Sequence, residues 1–456
     1  MLDYCVRDVH LNTVLFKHLR KEGAGFNKEC VALEQTVADI IKKQETTGFQ
    51  FDLKKAELLL AELREKMQQA ENEVHKEFKP KLVDIRQVNP KLKKDGTLSK
   101  SGLTPEEYEE RLPTNNIKPF MRRKLQDFNL GSRKQVGEYL IEFGWKPKKF
   151  TPTGQPIVDE TTLGKIEKIP QAKLIAKYFL YQKRIAQVDS WIKAMDDDGR
   201  VHGFVIPNGT ITGRMAHRSP NMAQVPNIHS PYGQECRSCW IVKDGYKLVG
   251  IDASGLELRM LAHYMQNEEY INEIINGDIH TANQKAAGLE SRDQAKTFIY
   301  ALIYGAGDAK LGSVVGGNRE SGKRLRRQFL NNNPSFKTLR DRVQRASGKH
   351  WLKGIDGRKL LIRTQHAALN TLLQGGGAIV MKRGLAMLDS LIRLNTFDAK
   401  FVANIHDEWQ MEVREDIAEN VGALAVECII KAGEHYNLRC PMDGQYKVGD
   451  NWSETH

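Results

Sequence analysis

Cysteine is scarce in this chain. Six thiols, at positions 5, 30, 236, 239, 428 and 440, are scattered along 456 residues. That excludes a disulfide-stapled scaffold and implies a reducing, cytoplasmic setting. Cys236-Arg-Ser-Cys239 has the spacing of half a zinc site, but no second Cys or His pair accompanies it, so these read as ordinary thiols. Long apolar runs are missing too. None approaches the roughly 20 residues needed to span a bilayer, and no membrane partner is expected. The opening Met1-Leu-Asp-Tyr-Cys-Val-Arg-Asp8 carries acids where a signal or transit peptide avoids them, so the expected chain is soluble and not exported. Internal repeats are absent, which excludes a solenoid. There is no acidic excess either: 69 Lys and Arg outnumber 57 Asp and Glu for a net charge of +12. That balance favours a polyanionic partner, nucleic acid first.

With 40% hydrophobic residues the chain can bury a sizeable core, and its 456 residues should divide into several subdomains. Asp52 is placed as an N-cap, after which Ala56, Leu60, Leu63, Met67, Ala70 and Val74 recur in alternating steps of three and four. This is the pattern of a long amphipathic helix. Residues 31 to 43 are also helical in pattern, and Gly48 between the two predicts an antiparallel helix pair. From 78 to 128 the periodicity lapses, and basic clusters (Lys91, Lys93, Lys94; Arg122, Arg123, Lys124) alternate with Glu106-Glu-Tyr-Glu-Glu110. That stretch reads as an inserted, partly flexible segment able to track a phosphate backbone or hold a partner. Helices are expected again from Ser132, with Val136, Leu140 and Phe143 on one face, and from 170 to about 195. Downstream, strand-like pieces lie at 246–252 and 399–413 with helices between them.

Three short stretches carry the chemistry. In Lys247-Leu-Val-Gly-Ile-Asp252-Ala-Ser-Gly-Leu-Glu257 an apolar strand stops at an acid and Ser254-Gly255 starts a helix, so Asp252 is expected to point out of the sheet edge into solvent. In Asn404-Ile-His-Asp407-Glu408 a tight hairpin turn presents His406, Asp407 and Glu408 together. Alone, a strand-end aspartate is usually a cap and a His-Asp turn is commonplace. Two such acids, 155 residues apart in sequence and brought to one sheet edge, suit a pair of hard cations held by oxygen, as two-metal phosphoryl transfer requires. Between them, Ser291 and Gln294 form a capping box that starts a helix running to Gly305. On that helix Arg292, Lys296, Tyr300 and Tyr304 recur every four residues as one stripe. Its cations can clamp phosphates and its tyrosines can stack on a base or sugar. A merely solvated basic face explains the tyrosines poorly. Gly317-Asn-Arg-Glu-Ser-Gly322-Lys323 matches most of a P-loop, but Arg324 stands where a Ser or Thr must bind magnesium. No ATPase site is expected there.

Together the three stretches resemble motifs A, B and C of family A (DNA polymerase I-like) DNA polymerases. Thr212-Gly-Arg214, Pro220-Asn221 and Gln224-Val-Pro226 are similar to the family's template-primer segment, and His366-Ala-Ala-Leu-Asn370-Thr-Leu-Leu-Gln374 to its minor-groove helix. Asp252-Ala-Ser-Gly-Leu-Glu-Leu-Arg259 and Gly277-Asp-Ile-His-Thr281 most resemble the replicative polymerases of T-seven-type short-tailed phages. The resemblance runs from near residue 1 to Asn451-Trp452 and is weakest over 78–128, where those polymerases carry a larger insertion that binds host thioredoxin. It implies an α+β right-hand fold with a helical thumb, an antiparallel-sheet palm and helical fingers. Residues 1–30 would be the C-terminal remnant of a 3′-5′ exonuclease domain, and 31–194 the thumb with its insertion at about 78–128. The palm would be 195–265 and 355–456, and the fingers 266–354.

The resemblance also implies roles. Asp252 and Asp407, with the backbone carbonyl of Ala253, would ligate two Mg2+ ions, one lowering the pKa of the primer 3′-hydroxyl and the other neutralising charge on the leaving pyrophosphate. His280, Arg292 and Lys296 would hold the triphosphate, with Lys296 placed to protonate pyrophosphate. Glu257 and Tyr300 would close over the sugar and exclude a ribose 2′-hydroxyl. A tyrosine rather than a phenylalanine at 300 implies ready acceptance of dideoxynucleotides. Arg214 and Gln374 would donate to minor-groove acceptors that every correct pair displays. Gln224, Tyr304, His366, Asn370 and His406 would meet the primer-template, with Glu408 and His406 in support. The implied partners are primer-template DNA and deoxynucleoside triphosphates, then a processivity factor and a replicative helicase-primase, in the host cytoplasm if the gene is a phage's.

In those phage polymerases a proofreading exonuclease with acids in three motifs precedes the polymerase, and Tyr4-Cys-Val-Arg-Asp8 resembles only the last of them. This chain is therefore expected to have no exonuclease activity alone, either because a separate exonuclease subunit supplies it or because the product is truncated. An exposed apolar face on residues 9 to 20, including Val14, Leu15, Phe16 and Leu19, would support a docking partner. Two other functions compete. A single-subunit RNA polymerase also uses two aspartates and a Lys and Tyr helix, but must admit the 2′-hydroxyl that Glu257 excludes. An inactive DNA-binding scaffold would not need intact Asp252, Lys296 and Asp407.

Overall fold

The computed structural model describes residues 2–24 and 26–456. The chain divides into two compact units, Met1–Ala56 with Ser190–His456, and Glu57–Asp189. Residues 31–56, expected in the thumb, therefore lie in the first unit.

In that unit α1 (Leu2–Glu22) buries no residue, while α2 (Lys28–Thr47), capped by Asn27, buries Leu33, Val37, Ile40 and Ile41. Gly48 ends α2, but no helix pair follows directly. The chain enters β1 (Phe49–Phe51), which pairs with short strands at Arg200–Val201 and Trp240–Ile241. Two buried aromatics in three residues favour extended backbone, and the Phe49 ring lies 5.3 Å from that of Trp240. Asp52 does cap the next helix, its Oδ1 accepting from the Lys55 backbone N–H at 2.9 Å.

The helices and strands that follow are β2 (Tyr246–Ala253), α3 (Leu256–Met265), α4 (Ile279–Ala287), α5 (Arg292–Ile303), α6 (Asp308–Ser313), α7 (Arg319–Asn332) and α8 (Pro334–Ala346). A short hairpin of β3 (Trp351–Lys353) and β4 (Lys359–Leu361) leads to α9 (Ala368–Leu394), then β5 (Ala399–Ile405), β6 (Glu408–Arg414), α10 (Ala418–His435) and β7 (Gly444–Gly449). β5, β6, β2 and β7 form, in that order, one antiparallel sheet. Alternation along β6 sets its layers. Trp409, Met411 and Val413 join the apolar core with α9 and α10. Glu408, Gln410 and Glu412 are equally buried on the other face, where burial requires partners. Arg200 grips Glu412 with both bonds at 2.9 Å, and the Thr455 hydroxyl donates to Gln410 at 2.9 Å.

A buried ionic knot ties α2 to α9. Lys382 donates to both Glu34 oxygens, at 2.9 and 2.7 Å, and to Asn208 Oδ1 at 2.7 Å. Arg358 joins it through Glu34 and Asp356. Such a network, with its charges paired, holds the strand-free stretch around Asn208 in one place.

The second unit has its own core, in which Phe78 stacks on Phe128 at 4.6 Å beside Tyr139, Leu140 and Ile175. Ser132 caps the helix Arg133–Glu142 as expected, but Phe143 sits past its end and is 44% exposed. The stretch 78–128, expected to be irregular, contains an antiparallel ribbon, Lys81–Val88 against Phe120–Gln126. A helix at Pro105–Arg111 is closed by a Thr104 and Glu107 capping box, and Arg122 clamps Glu107. Both strands of the ribbon are largely exposed, so neither needs the apolar alternation that marks a half-buried strand.

Candidate active site

Asp252 lies at the end of β2, an inner strand of the sheet, opposite Glu408 of β6 and Gln445 of β7. The next residue, Ala253, donates its N–H to the Asp407 carbonyl at 3.1 Å. The two acids, distant in sequence, thus meet at one end of the sheet. The expectation of an edge aspartate in solvent is corrected: Asp252 is half-buried. Burial, then the charges of Asp407 and Glu408, push its carboxyl up to about 7. Asp407 follows His406, whose φ of 59° makes the tight turn. Burial and Glu257 raise its carboxyl, against the pull of Arg214. Cationic side chains near both are engaged elsewhere. Arg214 donates to Glu257 Oε1 at 2.7 Å, and His456 Nδ1 lies 3.2 Å from Glu408 Oε2.

Glu408 does not sit in the turn with His406 and Asp407 as expected. It opens β6 and is buried, with Oε1 accepting from Trp452 Nε1 and Gln410 Nε2, both at 2.6 Å, and with Arg237 at 3.7 Å. Burial alone would raise its pKa, but His456, Arg237 and Trp452 together hold it below the ordinary value. These three were missed by the sequence reading. The available signal was Trp452, an indole among polar neighbours that needs an acceptor once buried.

α5 begins as expected, with Ser291 Oγ accepting from the Gln294 N–H at 3.2 Å. Only half of the capping box forms, because the Gln294 side chain accepts from Glu290 N instead. At the other end Gly305 has φ +77°, and a Cβ there would collide with the His366 carbonyl. Glycine thus lets the end of α5 rest on the turn that precedes α9. Along the stripe Arg292 and Lys296 are exposed, Tyr300 is half-buried and Tyr304 is 45% exposed. Burial pushes the Tyr300 hydroxyl up to about 12. Its ring lies 6.1 Å from that of Tyr304 and 6.5 Å from His280 of α4. Arg292 Nε donates to Asp278 Oδ2 at 2.7 Å, an N-cap partner that the sequence reading passed over. The guanidinium is the main reason Asp278 lies well below the usual carboxylate range.

Glu257 is the meeting point of Arg214 and Tyr304, whose hydroxyl lies 3.4 Å from it. Gln374 also reaches Tyr304, so four of the expected residues form one cluster. Asn370 stands one turn before Gln374 on α9, its Oδ1 buried and unpartnered. His366 sits exposed in the preceding turn, and Gln224 closes a short turn at Met222–Gln224. Among the described residues no three His, Cys, Asp or Glu side chains converge as a ready metal cluster. Cys236 and Cys239 are buried, and burial pushes the Cys239 thiol up to about 12. The P-loop-like stretch joins α6 to α7, with no strand before it.

The model of DNA polymerase family A matches residues 104–454. The chain belongs to that family. Over its whole length this family A polymerase is 36% identical to the DNA-directed DNA polymerase of Enterobacteria phage T3 and 35% identical to that of Escherichia phage T7, across 76% of each relative. The DNA polymerase I of Pseudomonas aeruginosa is 27% identical over 73% of this chain and 39% of its own. The polymerase domain of Pol1 from M. smegmatis, solved in complex with DNA primer-template and dNTP, is similar with a TM-score of 0.76 and 20% identity. The match covers 92% of this chain and 70% of that one. Helices and antiparallel sheet are thus arranged as a right-hand polymerase. The T3 alignment spans 538 residues against 456 here, so at least 538 − 456 = 82 of its positions stand opposite gaps in this chain.

Because Asp252 titrates near 7 when folded but near 4 when unfolded, folding favours its protonated form. The stability linked to it is present below about pH 4 and lost as the pH rises through 7. Asp252→Asn should therefore melt several degrees above the parent at pH 8 in metal-free buffer, with the two converging at low pH. Thermal melts followed by circular dichroism at both pH values check this.

Proposed function

We propose that this DNA-directed DNA polymerase extends a primer by two-metal phosphoryl transfer centred on Asp252 and Asp407. The supporting observation is a pair of desolvated carboxylates at one sheet end, both raised above their ordinary pKa. Hard dications relieve that strain and prefer such oxygen donors. Two Mg2+ ions held by Asp252, Asp407 and the Ala253 carbonyl would activate the primer 3′-hydroxyl and neutralise the leaving pyrophosphate.

The chain's own side chains supply the rest of the proposed mechanism. Arg292 exchanges Asp278 for the triphosphate, and His280 and Lys296 hold the phosphates beside it, Lys296 giving up a proton to pyrophosphate. Glu257, braced by Arg214 and Tyr304, forms with Tyr300 the wall that rejects a 2′-hydroxyl, which speaks against an RNA polymerase. Arg214, Gln374, Asn370, His366, His406 and Gln224 face the primer-template. In this reading the four-stranded sheet is the palm, 266–354 the fingers and the second unit the thumb, whose exposed ribbon (Leu82, Ile85, Leu125) seats a processivity factor. Six scattered cysteines fit a cytoplasmic setting.

The proposal extends to proofreading. Within α1, Leu2, Tyr4, Val6, Val9, Leu11, Val14, Leu15, Phe16 and Leu19 are all exposed by 52% or more. A lone helix does not sustain such a surface in water, and we assign it to contact with an exonuclease module.

Primer extension should fall by at least about 10³-fold in Asp252→Ala and in Asp407→Ala, with DNA binding retained. Near-parental rates would refute the metal assignment. The parent should incorporate dideoxynucleotides within about tenfold of deoxynucleotides, and Tyr300→Phe should widen that gap to a hundredfold or more. Single-turnover incorporation measures both. Incubated with Mg2+ and labelled single-stranded DNA, the isolated chain should leave the 3′ end intact. Shortening of that strand would end the exonuclease reading.

A further inference from the structure

The positive charge of the chain is concentrated. Residues 317–349 hold ten Lys and Arg against two acids, Glu320 and Asp341, which is +8 of the net +12. On α7, Arg319, Lys323 and Arg327 recur at every fourth position with Arg324 beside them, and all four are exposed. Successive charges of the stripe stand about 6 Å apart along the axis. Only Arg326 of this helix turns inward, to Asp308 at 3.0 Å and the Ala306 carbonyl at 2.6 Å.

A solvated helix face ordinarily relieves such charges with acids one turn away, and this chain does so elsewhere: Glu62 pairs with Lys66, and Glu427 with Lys431. On α7 the only acid is Glu320. Like charges at this spacing weaken a helix, so the stripe costs stability unless an anion occupies it. Lys323, Arg324 and Arg327, with Asn318, Ser321 and the single acid Glu320, line a depression of about 490 Å³.

The stripe is rigidly joined to the helix of the active site. A Cβ on Gly322 would collide with the Asp308 carbonyl, so α7 lies tight on α6. Phe329 is wedged between Phe298 of α5 and Phe336 of α8, at 5.6 and 5.3 Å. A small pocket of about 70 Å³ lined by Gly305, Ala306, Arg326, Arg340 and His366 lies where the end of α5 meets α7 and α8.

We propose that the α7 stripe binds the phosphates of the single-stranded template ahead of the insertion site. The inference rests on the reading of this chain as a template-directed polymerase. Guanidinium forks suit phosphate oxygens, and a row of cations can follow a flexible strand. The exposed face of α7 carries no aromatic side chain, so the contact is to the backbone and independent of sequence. An acidic peptide would be the other occupant, but nothing on the stripe offers the apolar pockets that fix a peptide's register.

The test compares primer-templates with 5′ template overhangs of about 2 and about 12 nucleotides, binding the parent and R319Q/K323Q/R324Q/R327Q over a salt series. The parent should bind the long overhang about tenfold more tightly. The variant should lose that advantage, and its salt slope on the long overhang should fall by up to about 2.8, at about 0.7 per single-strand phosphate contact. K323Q/R327Q should give about half of that change. Extension on the short overhang should match the parent in both variants, which separates this inference from the polymerase reading itself. An overhang advantage that survives in the variants, or is missing from the parent, overturns the proposal. So does a poly-glutamate peptide that binds the parent, but not the variant, and leaves overhang binding unchanged.

Discussion

The register of β6 on β2 is the constraint on which the site depends. Because Glu408 lies opposite Asp252 and Ala253 donates to Asp407, three carboxylates from two distant stretches share one end of a sheet. A slip of one residue would carry Asp252 to the face of Trp409 and Met411, among apolar helices. The register is held by what each face of β6 requires. Apolar residues on one side need the core, and the buried acids and amide on the other need Trp452, Thr455 and Arg200. Neither face tolerates exchange.

The three carboxylates are not treated alike. Glu408 is surrounded by donors and lies below its ordinary pKa, so it acts as a fixed charge. Asp252 and Asp407 are buried with too few donors to offset it, and both are raised. The Glu408 charge adds to the strain on Asp252. This is stability given up locally for a demand that a dication can meet. The ion pairs nearby differ in the same way. Arg292 and Asp278 are 54% and 40% exposed as side chains, so their pairing is screened and easily broken. Arg214 and Glu257, at 16% and 11%, are largely shielded, and breaking that pair would strand a charge. The outer pair can open while the inner one stays closed.

The sequence carried the elements at the site but not their surroundings. Strand, hairpin and cationic helix were legible because each is a short local pattern: apolar run to an acid, polar break, four-residue spacing. What could not be read were long-range partners. Asp278 under Arg292, and Trp452 and His456 under Glu408, are set by tertiary packing that no local period records. The ribbon in 78–128 escaped because its strands are exposed on both sides. At Gly48 the chain does not turn straight into the next helix, because the buried Phe49 and Phe51 hold a short strand between the two. Asp252 was expected in solvent because strand ends usually are, whereas here β6, β7 and the turn at His406 close over it.

Burial and charge placement also explain why a basic chain can keep an acidic centre. Cations set directly against Asp252 and Asp407 would lower both pKa values and satisfy them, removing the demand for metal. The chain instead commits its nearest basic side chains to Glu257 and Glu408 and carries most of its excess on α7 and α8. Charges further apart than about 8 Å are largely screened in physiological salt. The charges that act most on Asp252 and Asp407 are those of Glu408, Glu257 and Arg214, and none of them lies on α7 or α8. Positive charge is thus gathered on one part of the chain while the sheet end keeps its acids under-compensated, and the two need not cancel within one molecule.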